Sequence, residues 1–206
     1  AGTEVAAAQQ ITAVDGDLLL VAVTTKPYQP VSDVTGLGLN WTQAGAQCAA
    51  RGQTGVEMWV AEATGAVSGV IQAEFTGPVA SAVIAVARYA DVNAVTPTGA
   101  AESANTNGID GACTGGVDSD SFRFTLPVAG PGSFVVAAVA KRTRDLTAGT
   151  DYTVREDTQS DSGDIGNDCS LAIMDRIASP FDNVPVEGNL SGTVDWAVIA
   201  LEVVAE

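Results

Sequence analysis

Short apolar runs, broken by Gly, Pro and polar residues, recur along most of this chain. The clearest run, Ser121 to Leu126, alternates Phe122 and Phe124 with polar neighbours, which is the period of a half-buried β-strand. No segment combines a helical period with helix caps. Gly and Pro mark the ends of further runs. Besides 121–126, the pattern predicts strands near 17–25, 39–48, 56–63, 68–75, 80–88, 133–141, 150–158, 169–177, 184–190 and 193–204.

Three sequence blocks recur in the same order about 115 residues further along the chain. They pair GDLLLVAVTTK (16–26) with GSFVVAAVAKR (132–142), GLNWTQ (38–43) with GTDYTV (149–154), and FTGPVASAVIAVARY (75–89) with LSGTVDWAVIALEV (190–203). A repeat with conserved order indicates a duplicated unit. Turn signals every 8–12 residues are typical of sandwiches. We therefore predict an all-β fold: a two-sheet, jelly-roll-like sandwich built by internal duplication of a five-strand unit, with half-repeats at about 16–89 and 132–204.

Several of these strands are apolar on both faces. Leu18 and Leu20 lie on one face of their strand, and Leu19 and Val21 lie on the other. A sandwich strand with a solvated outer face would carry polar residues there. The second apolar face is therefore covered, either by the chain's own loops or by neighbouring subunits.

The first 13 residues precede the first repeat block and have no counterpart in it. This gives two parts, a segment at 1–13 and a single β-sandwich domain at 14–206. The segment contains no Pro and can form a strand. It either docks within its own fold or is a candidate donor strand for a neighbouring subunit's sheet. Its candidate assembly residues are Val5, Ala6, Ala7, Ala8 and Ile11.

Composition narrows the range of partners. The net charge is −16, and Asp and Glu outnumber Lys and Arg by 25 to 9. Such a surface repels phosphate backbones, so nucleic acid is not an expected partner. Cations, neutral glycans and copies of the same chain remain. No apolar run approaches the roughly 20 residues of a membrane-spanning helix.

Three cysteines and the absence of histidine limit the chemistry. Without histidine, Ser-His-Asp and Cys-His mechanisms are excluded, and no nucleotide-binding or nucleophile-elbow motif occurs. The cysteines fit no metal-binding spacing. Cys48 and Cys113 both flank Gly-rich loops, whereas Cys169 begins an apolar strand. We predict a Cys48–Cys113 disulfide in an oxidising compartment, with Cys169 either reactive or bonded to another chain, and we do not expect an enzyme.

Two acidic loops are candidate metal sites. Spaced carboxylates on Gly-rich segments suit Ca²⁺, which prefers six to eight oxygen ligands. The alternative is a solvated turn in an acidic protein. The candidate ligands are Asp118, Asp120, Asp161, Asp164 and Asp168; no other cofactor is expected. Separately, Trp41, Trp59 and Trp196 form either a sugar-stacking platform or parts of the core.

The pattern GDLLLVAV…GLNWTQ…GVEMWVAEA…ASAVIAVARY resembles a β-sandwich module of secreted and surface proteins of environmental bacteria. The resemblance covers roughly residues 14–204. It implies an extracellular structural or adhesive role, and it supplies no catalytic residues.

Two functions follow as expectations. The first is an extracellular, cell-surface structural subunit that self-assembles into a filament, sheath or surface layer, with the N-terminal segment as the donated strand. The alternative is a carbohydrate-binding or adhesin module of a larger surface protein, with a glycan as its partner.

Overall fold

A computed structural model describes residues 2–128, 132–179 and 183–206. Within these ranges the chain forms 18 β-strands and no helix, and all strand pairs are antiparallel. The predicted all-β class is confirmed.

The strands divide into two halves and a connection. The first half contains β1 (Gly2–Ala6), β2 (Ile11–Ala13), β3 (Leu18–Lys26), β4 (Val31–Gly36), β5 (Thr42–Cys48), β6 (Gly55–Glu62), β7 (Val67–Gly69), β8 (Ile71–Val79) and β9 (Ser81–Tyr89). The connection contains β10 (Thr98–Asn105) and β11 (Gly108–Ile109). The second half contains β12 (Ser119–Pro127), β13 (Phe134–Ala140), β14 (Leu146–Ala148), β15 (Thr153–Gln159), β16 (Ser170–Ile177), β17 (Asn183–Val194) and β18 (Ala197–Val203).

Four sheets stack as layers, whereas a sandwich of two sheets was predicted. The first outer sheet has the order β1-β8-β4, and the first inner sheet has the order β5-β6-β3-β9. The second inner sheet has the order β11-β10-β18-β13-β16-β15, and the second outer sheet has the order β12-β17-β14. A small β2-β7 pair completes the fold. Each half is thus a sandwich in its own right.

Three apolar cores separate these layers. The outer cores lie between the outer and inner sheet of each half. The central core lies between the two inner sheets and joins Leu20 and Met58 of the first half to Leu171 and Ile199 of the second. Full burial of such a side chain stabilises by roughly 1.5–3 kcal/mol, so the central core holds the halves together.

The layering explains why inner strands are apolar on both faces. In β3, Leu18 and Leu20 point into the central core, and Val21 points into the first outer core. Every residue of β3 is buried. Sheets of the same chain cover both faces, and the loop residues Leu37, Leu39 and Ala63 pack with Leu19. These strands therefore give no support to self-assembly.

The two halves share one strand order. In the outer sheets, the order β1-β8-β4 corresponds to the order β12-β17-β14. In the inner sheets, the order β5-β6-β3-β9 corresponds to the order β15-β16-β13-β18. By this order β1 is the counterpart of β12. The expectation that residues 1–13 have no counterpart was wrong, because it was drawn from sequence blocks that begin at residue 16.

Candidate functional site: the open edge of strand β9

The one difference between the inner sheets lies at the outer edge of β9. In the second half, β10 pairs with β18 from Thr98 to Asn105. In the first half, among the residues that the structure describes, β9 pairs only with β3. A nine-residue strand thus presents one side of its backbone without a strand partner.

This edge lacks the usual protection against pairing. Open edges are normally blocked by charges, Pro or bulges. The sequence of β9 is SAVIAVARY, whose only charged residue, Arg88, lies next to its end. The neighbouring edge strand β15 instead carries Arg155, Glu156 and Asp157 and is largely exposed. Of these two edge strands, β9 is therefore better suited than β15 to accept another strand.

Two adjoining cavities, of about 440 and 290 Å³, follow the edge of β9 and meet at Val86. Ala7, Ala8, Gln9 and Ile11 line the smaller one on one side, and Glu156 and Thr158 of β15 line it on the other. The edge of β9 therefore lies in a groove between the N-terminal segment and β15. We refer to this as the β9 groove.

A buried carboxylate fixes one end of the β9 groove. Asp175 is 3% exposed. It accepts a hydrogen bond from the Tyr89 hydroxyl (3.1 Å) and two from Nε of Arg155 (2.9 and 3.0 Å). Burial, together with the Asp175 charge, raises the pKa of Tyr89, so its hydroxyl stays a donor. The hydrogen bonds to Asp175 raise the pKa of Arg155.

Two arginines lie at this end of the groove, each paired with a buried carboxylate. The Arg88 guanidinium is half exposed and pairs with Asp17 at 3.3 Å. Arg155 is also half exposed, and both arginines line the larger cavity. Because Asp17, Asp175 and Glu156 offset these two charges, this end of the groove carries no net positive charge.

The N-terminal segment docks on its own chain, at the edge of the first outer sheet. Strand β1 pairs with β8, with an irregularity between Gly2 and Glu4. Of the predicted assembly residues, Val5, Ala7 and Ile11 are half-buried, whereas Ala6 and Ala8 are exposed. Docking within the single chain is what the structure shows, and the same residues form one wall of the β9 groove.

The predicted disulfide is confirmed: Cys48 and Cys113 are bonded, with their Cα atoms 5.5 Å apart. Cys169 is fully buried. Burial raises the pKa of its thiol, and Ser81 Oγ donates to its sulfur at 3.3 Å. The expectation that Cys169 is reactive or bonded between chains was wrong, because the central core encloses it.

The five predicted calcium ligands do not converge. Asp118 pairs with Arg51 at 3.3 Å. The Asp164 and Asp168 carboxylates accept hydrogen bonds from the backbone amides of nearby residues in their own loop. Across residues 2–128, 132–179 and 183–206, no group of three or more His, Cys, Asp or Glu side chains could hold a metal ion. Asp120 and Asp161 are exposed.

The tryptophans also do not form a platform. Trp41 and Trp59 pack against the first outer core, and Trp196 is buried in the second. The Trp59 indole donates to Glu57 at 3.3 Å and the Trp41 indole to the Gly36 carbonyl at 3.4 Å.

Comparison with known proteins adds no relative. No family model, curated protein or solved structure matches this chain. Within the described residues, no helix is long and apolar enough to cross a bilayer.

The β9 groove was not predicted from the sequence. Strand β10 is rich in small residues and has no apolar alternation, so it was missed. The Tyr89–Asp175–Arg155 network had one sequence signal: Asp175 interrupts the apolar run that begins at Leu171.

Proposed function

We propose that this chain is an extracellular structural subunit that assembles with copies of itself into a filament, sheath or surface layer. The observation that carries the proposal is the open β9 edge. It is long, nearly uncharged and accessible from a groove, while its counterpart β18 is covered by β10. An unblocked edge is a template for another chain, and strand addition joins protein subunits without catalytic chemistry.

Two further features agree with this role. The Cys48–Cys113 disulfide suits an oxidising compartment. The two lysines of the chain, Lys26 and Lys141, are both buried; Lys141 Nζ lies 2.6 Å from Asp157. The exposed surface is therefore strongly acidic, which keeps copies apart except where geometry joins them.

We also infer that the two halves arose by duplication of one sandwich unit. The shared strand order of the inner and outer sheets supports this, together with the three sequence blocks. After such a duplication, the connection that carries β10 covers one of two equivalent edges and leaves the other, β9, open.

The test is assembly of the purified chain over a range of concentrations, followed by analytical ultracentrifugation and negative-stain electron microscopy. Regular polymers are expected. Ala87→Lys places a charge in the β9 groove and should reduce polymer yield. Ala46→Lys is the control, because Ala46 is exposed on β5 at the opposite edge of the same sheet. Since Ala87 also packs against the central core, both variants must keep the wild-type circular dichroism spectrum for the yields to be compared. A chain that stays monomeric at every concentration would refute the proposal.

A further inference from the structure

We infer that the occupant of the β9 groove is the N-terminal segment, residues 2–11, of a second copy of this chain. The inference rests on the proposed function, and it names both the donated strand and the strand that accepts it. Its first support is a strand pairing within the same molecule. At the equivalent edge, β18 already accepts an extended segment, β10, over eight residues.

The N-terminal segment has the character of the strand that fills the equivalent position. Strand β10 reads TGAAESAN, and residues 2–9 read GTEVAAAQ. Both segments consist of small and polar residues with one glutamate and no proline. Small side chains suit a position beside β15, and the absence of proline leaves every backbone N–H free to donate.

Charge opposes the docking of the segment on its own chain. In the pairing of β1 with β8, Glu4 stands directly opposite Glu74, and Asp33 of β4 stands opposite Glu74 on its other side. Like charges directly opposite each other in a sheet are destabilising. Gln72 donates to Glu4 at 2.7 Å, but the two acids remain adjacent to Glu74. Most of β1 is exposed as well.

Charge favours the same segment on β9. An antiparallel register that places Glu4 opposite Arg88 also places Ala6 opposite Val86 and Ala8 opposite Ile84. The Arg88 guanidinium is half exposed and pairs with Asp17 at 3.3 Å, so an incoming Glu4 carboxylate would join that ion pair. The segment therefore exchanges a row of like charges on β8 for a position beside an arginine on β9. Each copy both donates and accepts, so the joint is head-to-tail, and such a joint gives a ring where the rotation between copies closes and a filament where it does not.

The test mixes two variants that each carry one added cysteine, because each intact copy carries both a donor and an acceptor. One variant is Ala6→Cys and the other is Val86→Cys; both keep the native disulfide and the buried Cys169. Residues opposite each other on paired strands lie close enough for a disulfide. Under mild oxidation with glutathione, the mixture should give an Ala6→Cys–Val86→Cys linked dimer, identified by peptide mapping.

The matched control replaces Val86→Cys with Ala46→Cys on β5, and it should give no linked dimer. A linked dimer from Val86→Cys alone would mean that β9 pairs with β9 and would overturn the inference. Polymers without the 6–86 link would also overturn it while leaving the proposed function intact. Absence of any polymer would refute the proposed function, and the inference with it.

A second measurement tests the repulsion among Glu4, Glu74 and Asp33. Glu74→Gln removes the repulsion that loosens β1 from β8, so it should raise the concentration at which assembly begins by roughly two- to fivefold. Glu62→Gln, a carboxylate removed from exposed Glu62 at the end of β6, should leave that concentration unchanged. An unchanged or lower threshold for Glu74→Gln would contradict release of the segment from β8.

Discussion

Removal of the Cys48–Cys113 disulfide tests how the first half is tied to the connection. Cys48 ends β5 and is buried, and Cys113 lies in the loop between β11 and β12. Hydrogen bonds hold the same region without the disulfide. Asn105 Nδ2 donates to the Cys48 carbonyl at 2.9 Å, and Gln47 Nε2 donates to the Gly111 carbonyl at 2.9 Å. The folded geometry should therefore survive replacement of both cysteines by alanine.

The expected loss arises mainly in the unfolded chain. The bond spans 65 residues, and releasing a loop of that length lowers the free energy of unfolding by about 4 kcal/mol on the chain-entropy estimate. For a chain of this size the melting temperature should fall by roughly 8–16 °C. The unfolded chain also expands, so the urea m-value should rise.

The assay is equilibrium urea unfolding followed by tryptophan fluorescence, with the oxidised wild type as reference. Wild type under reducing conditions is the control, since it loses the bond without losing side chains, and it should match the double-alanine variant. A loss below about 1 kcal/mol in both samples would refute the loop-entropy reasoning.

Two further predictions follow from burial. Burial raises the pKa of all three tyrosines, Tyr28, Tyr89 and Tyr152. The folded state therefore favours the neutral phenol, and this contribution to stability is complete below the ordinary pKa of about 10 and is lost as pH rises above it. Absorbance at 295 nm should show phenolate only as the protein unfolds, and ionisation in a still-folded protein near pH 10 would contradict this. Gly188→Ala should cost roughly 1–3 kcal/mol, because its Cβ would lie 2.6 Å from the Phe122 ring; calorimetry should show a lower melting temperature, whereas Gly2→Ala, with no neighbour closer than 3.9 Å, should melt like the wild type.

Strands were predictable from the sequence because their signals are local. Predicted strands at 17–25, 56–63 and 169–177 agree within one residue with β3, β6 and β16. The short strands β4 and β14 were missed, since neither carries a sustained alternation. The disulfide was predictable because its two cysteines share a turn-rich setting that Cys169 lacks.

The layering and the candidate site could not be predicted in the same way. The two apolar faces of β3 show that both are covered, but identifying one cover as a sheet from the other half of the chain requires the three-dimensional arrangement. The acidic loops show that residues close in sequence need not bring their side chains together. Asp164 and Asp168 are four residues apart, yet each carboxylate accepts a hydrogen bond from a nearby backbone amide. Their spacing in the sequence therefore did not reveal whether the carboxylates meet at one point.

The central core has a consequence for synthesis of the protein. Its two faces pack like the interface of an obligate dimer, with both protomers encoded in one chain. The first half emerges from the ribosome with its inner sheet uncovered, and the second half follows after roughly 6–20 s at ordinary elongation rates. During that interval the nascent first half exposes an apolar surface that nothing in its own sequence can cover. The nascent first half therefore depends on the arrival of the second half to bury this surface.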